Sequence, residues 1–426
     1  MNRIRSTWAA AVVLLLMQVV PAAAQTPQTP PMRTVEFQQA IEEAIARNPT
    51  MARAEATIAQ AHALLQQSRA ALMPTVTGTI TNVTYDSERG FEDTVTQPQS
   101  QFVFGASATM PLLAFESRAR VNQSRDQIEV AQLAGAEVRQ QVAVATAYAY
   151  LGVIAARRQL EVDERALETA RAHLEFAERR LEGGAGSRLN QLRAAQAAAT
   201  AESRLETTAL ALRQAQEALG LLLVADGPVD AGAEPLFDVP EDALPSDWVL
   251  DRPDLQRQVR AIAAAERVLR DTRKSWLPAA SVSFTPQAVA PASLFAPSRT
   301  WQLTFSVSQP IFTRRIAAER ALREVTLTQE RIVRDELEQQ ARAEERMARQ
   351  AVERTARALD RAREAAASAE EVLKITMAAF ELGATTNLEV IDAQRSARDA
   401  ASAVAIAEDA ARRARFELAV ALGRFR

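Results

Sequence analysis

Trp301-Gln302-Leu303-Thr304-Phe305-Ser306-Val307-Ser308 alternates apolar and polar residues, a period that gives a β-strand one apolar and one polar face. Gln309-Pro310-Ile311 ends the strand, and residues 314–381 then contain no proline. As one helix they would reach about 100 Å at 1.5 Å per residue, far beyond the ordinary length of a globular helix. Strand followed by very long helix is therefore the unit to look for elsewhere. Phe102, Phe104, Ala106, Ala108 and Met110 repeat the alternation more weakly, and residues 116–182 repeat the proline-free run. Within that run Val138, Val142, Ala145, Ala149, Gly152 and Ala156 step by fours and threes, which predicts a coiled-coil seam whose small residues let two backbones approach closely. An ordinary helical core does not need elements of this length. The partner strands fall at 75–85 and 279–289, where Val76, Ile80, Val282 and Phe284 supply the apolar side.

The chain is a tandem repeat. Asn48-Pro49 and Pro74 lie over Arg252-Pro253 and Pro278 without a gap, and Met110-Pro111-Leu112 lies over Gln309-Pro310-Ile311. Leu181-Glu182-Gly183-Gly184 lies over Phe380-Glu381-Leu382-Gly383, and Ala218-Leu219-Gly220 matches Ala421-Leu422-Gly423. Shared landmarks in shared order predict one fold for both halves, each running helix, two strands, long helix, turn, helix. The shorter helices, 50–73 with 188–224 and 254–276 with 386–424, together match the long helix of their half, so they should stack end to end against it. The first repeat occupies residues 25–224 and the second 252–426, while 225–251, rich in Pro, Gly and Asp, reads as the connector.

Fold class follows: mainly α with a β membrane part. Ten-residue strands with one apolar face fit an outer-membrane barrel, the alternative being a soluble hairpin that caps the rod. Four strands cannot close a barrel, since small ones need about eight. Several chains must then share one, with residues 86–100 and 290–299 as exposed loops. Trp301, Leu303, Phe305 and Val307 are expected to face lipid.

Arg3 and Arg5, the apolar run 9–20 and Pro21-Ala22-Ala23-Ala24 before Gln25 form a secretory signal peptide at residues 1–24. A retained anchor is the alternative, but the run falls short of the ~20 residues that span a bilayer. Cysteine is absent, which excludes disulfides, thiolate metal sites and a lipid on cysteine. His62 and His173 are read as surface residues of helices, and no metal or cofactor is expected. A formal net charge of −3 argues against a nucleic-acid partner. No nucleophile elbow, phosphate loop or zinc-protease motif occurs, so catalysis is not expected.

The signal peptide, the two repeats, the strand pairs after Leu72-Met73-Pro74 and Trp276-Leu277-Pro278, and Phe380-Glu381-Leu382-Gly383 followed by Asn387-Leu388-Glu389-Val390-Ile391-Asp392-Ala393-Gln394 together resemble the TolC family of outer-membrane efflux proteins. The resemblance covers nearly the whole mature chain. It implies a homotrimer whose chains share a transmembrane β-barrel of twelve strands in outer-membrane lipid. A long antiparallel α-helical coiled-coil barrel would continue it through the periplasm. It further implies docking to a periplasmic adaptor and to an inner-membrane pump of RND or ABC type, which supplies the energy. By the same resemblance Glu389 and Asp392 ring the periplasmic entrance as a cation-attracting constriction; ordinary first-turn acids favoured by the helix dipole are the alternative. Gly183, Gly184, Ala185, Leu382, Gly383 and Ala384 match the turns that receive the adaptor, though glycine permits such a reversal whatever the function. Phe380, Thr385 and Asn190 occupy positions where well-studied members hold a tyrosine, an arginine and an aspartate that latch the tip. That latch cannot form here, which points either to other contacts, with Arg188 and Arg193 considered, or to an entrance less tightly closed. Type I protein secretion, a periplasmic adaptor and a scaffold without a pore remain as alternatives.

Overall fold

The computed structural model describes residues 32–91, 94–238, 248–293 and 295–425. The expected signal peptide and part of the connector lie outside them. Two helices carry the length of the molecule, α3 (Phe115–Glu182) and α6 (Arg314–Glu381), each 68 residues. Against α3 lie α2 (Pro49–Ala70) and α4 (Arg188–Leu223), and against α6 lie α5 (Pro253–Asp271) and α7 (Asn387–Ala421). Because α5 and α7 also touch α3, the layer runs from the α2–α4 pair through α3 and the α5–α7 pair to α6.

Stacking of the short helices is visible at their junctions. Asn48 caps α2 by accepting from the Thr50 amide at 2.9 Å, and its Nδ2 donates to the Leu222 carbonyl near the end of α4 at 3.2 Å. In the second half Arg252 takes the same place: Nη1 donates to the Ala421 carbonyl at the end of α7 at 3.3 Å, and Asp254 and Glu344 bind the guanidinium at 2.8 and 2.7 Å. Both following prolines stand at the first helical turn, where the missing N–H costs nothing.

Strands β2 (Thr75–Thr84), β5 (Ser100–Leu113), β7 (Ala279–Ala290) and β8 (Arg299–Ser308) form one antiparallel sheet in the order β2-β5-β7-β8. Register decides its faces, because residues directly opposite each other share a side. Ile80 faces Phe104, Ala108 faces Phe284, Met110 faces Val282, Phe284 faces Leu303 and Val282 faces Phe305. One face is therefore apolar from edge to edge. The other pairs Thr79 with Gly105, Thr109 with Ser283 and Ser283 with Thr304.

Several elements depart from the sequence expectation. Residues 86–100 are not a plain loop: β3 (Arg89–Phe91) and β4 (Thr94–Gln97) pair there as a hairpin. An unanticipated helix, α1 (Phe37–Arg47), buries Ala40, Ile41 and Ala44. The connector supplies β6 (Val229–Ala231), which pairs in parallel with β1 (Arg33–Val35). These pieces close the main core, where Tyr150, Leu151, Ile154, Leu219, Leu223 and Phe416 are fully buried or nearly so. The predicted seam is also revised. Of its residues only Val142 is buried, Ala145 is exposed, and a Cβ on Gly152 would meet nothing within 4 Å. Burial in α3 instead follows Val142, Thr146, Tyr150, Val153 and their neighbours, since this stretch is covered on several sides at once. Nor do the two Ala-Leu-Gly landmarks play one part. Gly220 lies inside α4, where a Cβ would sit 2.4 Å from the Gly227 carbonyl oxygen, whereas Gly423 follows α7 at φ +66. The end of α4 falls to Val224 at φ 54, a strained conformation for a β-branched residue.

Candidate functional site

At the end of the helices opposite the sheet, two turns reverse the chain with one backbone design. In the first, the Ala185 amide donates to Arg180 at 2.9 Å and the Gly184 amide to Leu181 at 3.0 Å. In the second, Ala384 donates to Ala379 at 2.7 Å and Gly383 to Phe380 at 3.0 Å. This is the paired six-to-one and five-to-two closure of a helix C-terminus, and it places Gly184 at φ +73 and Gly383 at φ +78, where glycine avoids a Cβ clash. Gly183, Gly184 and Ala185, and Leu382, Gly383 and Ala384, are all exposed. Leu382, Leu189, Leu192 and Leu388 project apolar side chains around them.

The helix starts that follow are capped differently. Ser187 accepts from the Asn190 amide at 3.2 Å. Thr386 heads a full capping box: its hydroxyl accepts from the Glu389 amide at 3.4 Å, and the Glu389 carboxylate accepts from the Thr386 amide at 2.9 Å and from the Thr385 hydroxyl. Glu389 is thus held in place by the cap while remaining exposed. Asp392 lies one turn on, on the same side of α7, exposed.

Phe380 ties the two turns together. Its buried ring lies against His173 and Phe176, with centroids at 5.4 and 5.7 Å. The Arg180 guanidinium sits over both phenyl rings, and its Nη1 donates to the Phe380 carbonyl at 3.3 Å. His173 is buried rather than on the surface, a correction that comes from the arrival of α7. Asn387 Nδ2 donates to the Asn190 carbonyl at 3.3 Å, so its Oδ1 accepts from His173 Nε2 at 2.7 Å. Burial pushes the imidazole below its ordinary value, a trend the Asn387 hydrogen bond opposes. Of the positions singled out in the sequence, Phe380 is thus held by His173, Phe176 and Arg180, Asn190 by Asn387 through its carbonyl, and Thr385 by Glu389. Arg188 instead binds Gln191 on its own helix, and Arg193 lines a cavity farther along α4.

At the opposite end the apolar face of the sheet stands uncovered, with Trp301 70% and Phe305 69% exposed, and Leu303 and Val307 beside them. Among the described residues no helix is long and apolar enough to cross a membrane.

Residues 40–224 and 244–424 match the family described as Outer membrane efflux protein. Among solved structures the chain is similar to CusC, studied for folding and transmembrane channel formation, at 22% identity and a TM-score of 0.78, over 92% of this chain and 93% of that one. The CmeC outer membrane channel of Campylobacter jejuni gives 16% identity and 0.76, over 91% and 85%. The open state of the MtrE outer membrane channel of Neisseria gonorrhoeae gives 20% and 0.73, over 91% and 88%. No curated protein matches significantly.

Proposed function

The chain belongs to the outer membrane efflux protein family, and from that premise we propose that three copies form a passive duct through the outer membrane and periplasm. The observation that carries this reading is the four-stranded sheet, apolar on one face and open at both edges, β2 and β8. Successive strands alternate in direction, so an even number per chain lets β8 of one copy pair antiparallel with β2 of the next. Such a head-to-tail contact closes into a ring, and closure alone removes the unpaired edges from lipid. The helical layer has matching open edges, α6 and the α2–α4 pair, which meet across the same junction as an antiparallel coiled-coil barrel.

The exposed glycine turns and their leucines form the surface for a periplasmic adaptor, through which an inner-membrane pump of RND or ABC type supplies energy. Glu389 and Asp392 from three copies gather six carboxylates near the axis and attract cations to the entrance. Export by the signal peptide and the lack of a lipid-bearing cysteine belong to the same proposal, which assigns the chain no catalysis.

Single-channel conductance in planar bilayers tests it. The expected result is a trimeric, cation-preferring pore whose preference falls in Asp392→Asn and further when Glu389→Gln is added; glutamine is used because it can retain the capping box. Pores with unaltered preference would remove the entrance role, and a soluble monomer without conductance would overturn the duct.

A further inference from the structure

Between α4 and α7, over the part of α3 that carries Asp163, a cavity of about 390 Å³ opens. Ala166 and Ala170 leave the space on the α3 side. Four arginines line it, Arg193 and Arg204 from α4 and Arg395 and Arg398 from α7. Asp163 is the single acid in the lining, and it is buried and already bound by Arg398 at 2.9 Å. Arg193, Arg204 and Arg395 have no ion-pair partner among the described residues, unlike Arg320 and Arg349 on α6, which bind Glu324 and Glu345 one turn away. A chain with a net charge of −3 thus collects uncompensated positive charge in one hollow.

A second observation points the same way. The Gln394 side chain also lines the cavity, and its Nε2 is buried without any hydrogen-bond partner. An unpaired buried N–H is costly, and arginines on two walls of a hollow whose single acid is already paired leave positive charge unbalanced. An oxyanion relieves both, since guanidinium forks match carboxylate and phosphate oxygens and the amide N–H supplies another donor. The volume suits a small ligand, and Leu388 and Ile391 give it an apolar side. We propose that this cavity is a binding site for a small solute bearing a carboxylate or phosphate on a compact apolar body. The site does not depend on the chain's being a duct, and calorimetry reads it whether or not the protein conducts.

The test is calorimetric titration of the detergent-solubilised full chain with phenyl phosphate, inorganic phosphate and benzyl alcohol. Phenyl phosphate should bind tightest and benzyl alcohol weakest. Arg204→Gln with Arg395→Gln should weaken phenyl phosphate at least about tenfold, as expected when charge-assisted hydrogen bonds are lost, while Arg346→Gln with Arg354→Gln, the same charge change on exposed α6, should leave it unaltered. Gln394→Leu should weaken it about threefold while stabilising the ligand-free protein, because it removes the unpaired N–H; this variant decides the matter if the double variant does not fold. Equal affinity in the cavity and α6 double variants, or no preference for phenyl phosphate over benzyl alcohol, would overturn the site.

Discussion

The two turns at the helical tip share a backbone and oppose each other in chemistry. Each closes its long helix with the same pair of amide bonds around a left-handed glycine. Three and six residues after the cap, however, the first turn carries Asn190 and Arg193 where the second carries Glu389 and Asp392. At the helix N-terminus the dipole favours Glu389 and disfavours Arg188, so the second start is built more firmly. The first turn also has Leu181, half-buried, where the second has Phe380, buried among three side chains of α3. Duplication preserved the fold of the reversal and left its charge free to diverge, with the acidic copy placed where the entrance is proposed.

That asymmetry can be broken in order of size. Phe380→Ala should cost about 3–5 kcal/mol and Leu181→Ala clearly less, measured as lost amide-exchange protection in the two turns; equal losses would show that the hub is not at Phe380. His173→Ala leaves the Asn387 acceptor buried and unpaired, for about 1–3 kcal/mol, and should loosen both turns because Asn387 links them. Its pH dependence has a definite sign. With the folded imidazole held below 6.5, the folded tip binds fewer protons than the unfolded chain, so protection is complete above that value and declines as pH falls beneath it. His173→Gln should flatten the decline, and an unchanged profile would assign it to other groups. Thr386→Ala should cost about 1–2 kcal/mol, in the upper part of the capping range, and Ser187→Ala less, since only the former dismantles a capping box; thermal melting of the purified variants checks the order. Arg188→Glu should stabilise the first start by about 0.5 kcal/mol, the smallest change and the one that narrows the difference between the turns.

Much of this architecture was legible because its signals are local and repeated. Proline-free runs gave helices within a residue of their observed ends, and the alternation at Trp301 to Val307 placed those side chains on one face of β8, a placement the cross-strand register then extends over the whole sheet. What escaped depends on partners distant in sequence. His173 looks like any polar helical residue until Asn387 arrives. The three residues of β6 have no strand signal apart from β1, and the α3 seam was misplaced because α1, α4 and β6 cover that helix from sides no periodicity specifies. Helix α1 was readable, for Phe37, Ala40, Ile41 and Ala44 mark its buried face. The capping box was readable too, in Thr386-Asn387-Leu388-Glu389, and it shows that one carboxylate can hold a helix start and still face outward.

The equal length of α3 and α6 has a mechanical consequence. Each long helix is unbroken from the sheet to the tip, so it works as a phase shaft as well as a spacer. Deleting one residue from α6 alone would turn everything beyond it by about 100° and shift it by about 1.5 Å, bringing a different set of side chains round at the far end. Insertions of about seven, eleven or eighteen residues, made in the long helix and its stacked partner together, keep the angle true to within about 20°. Reach can therefore change in this molecule only in such steps.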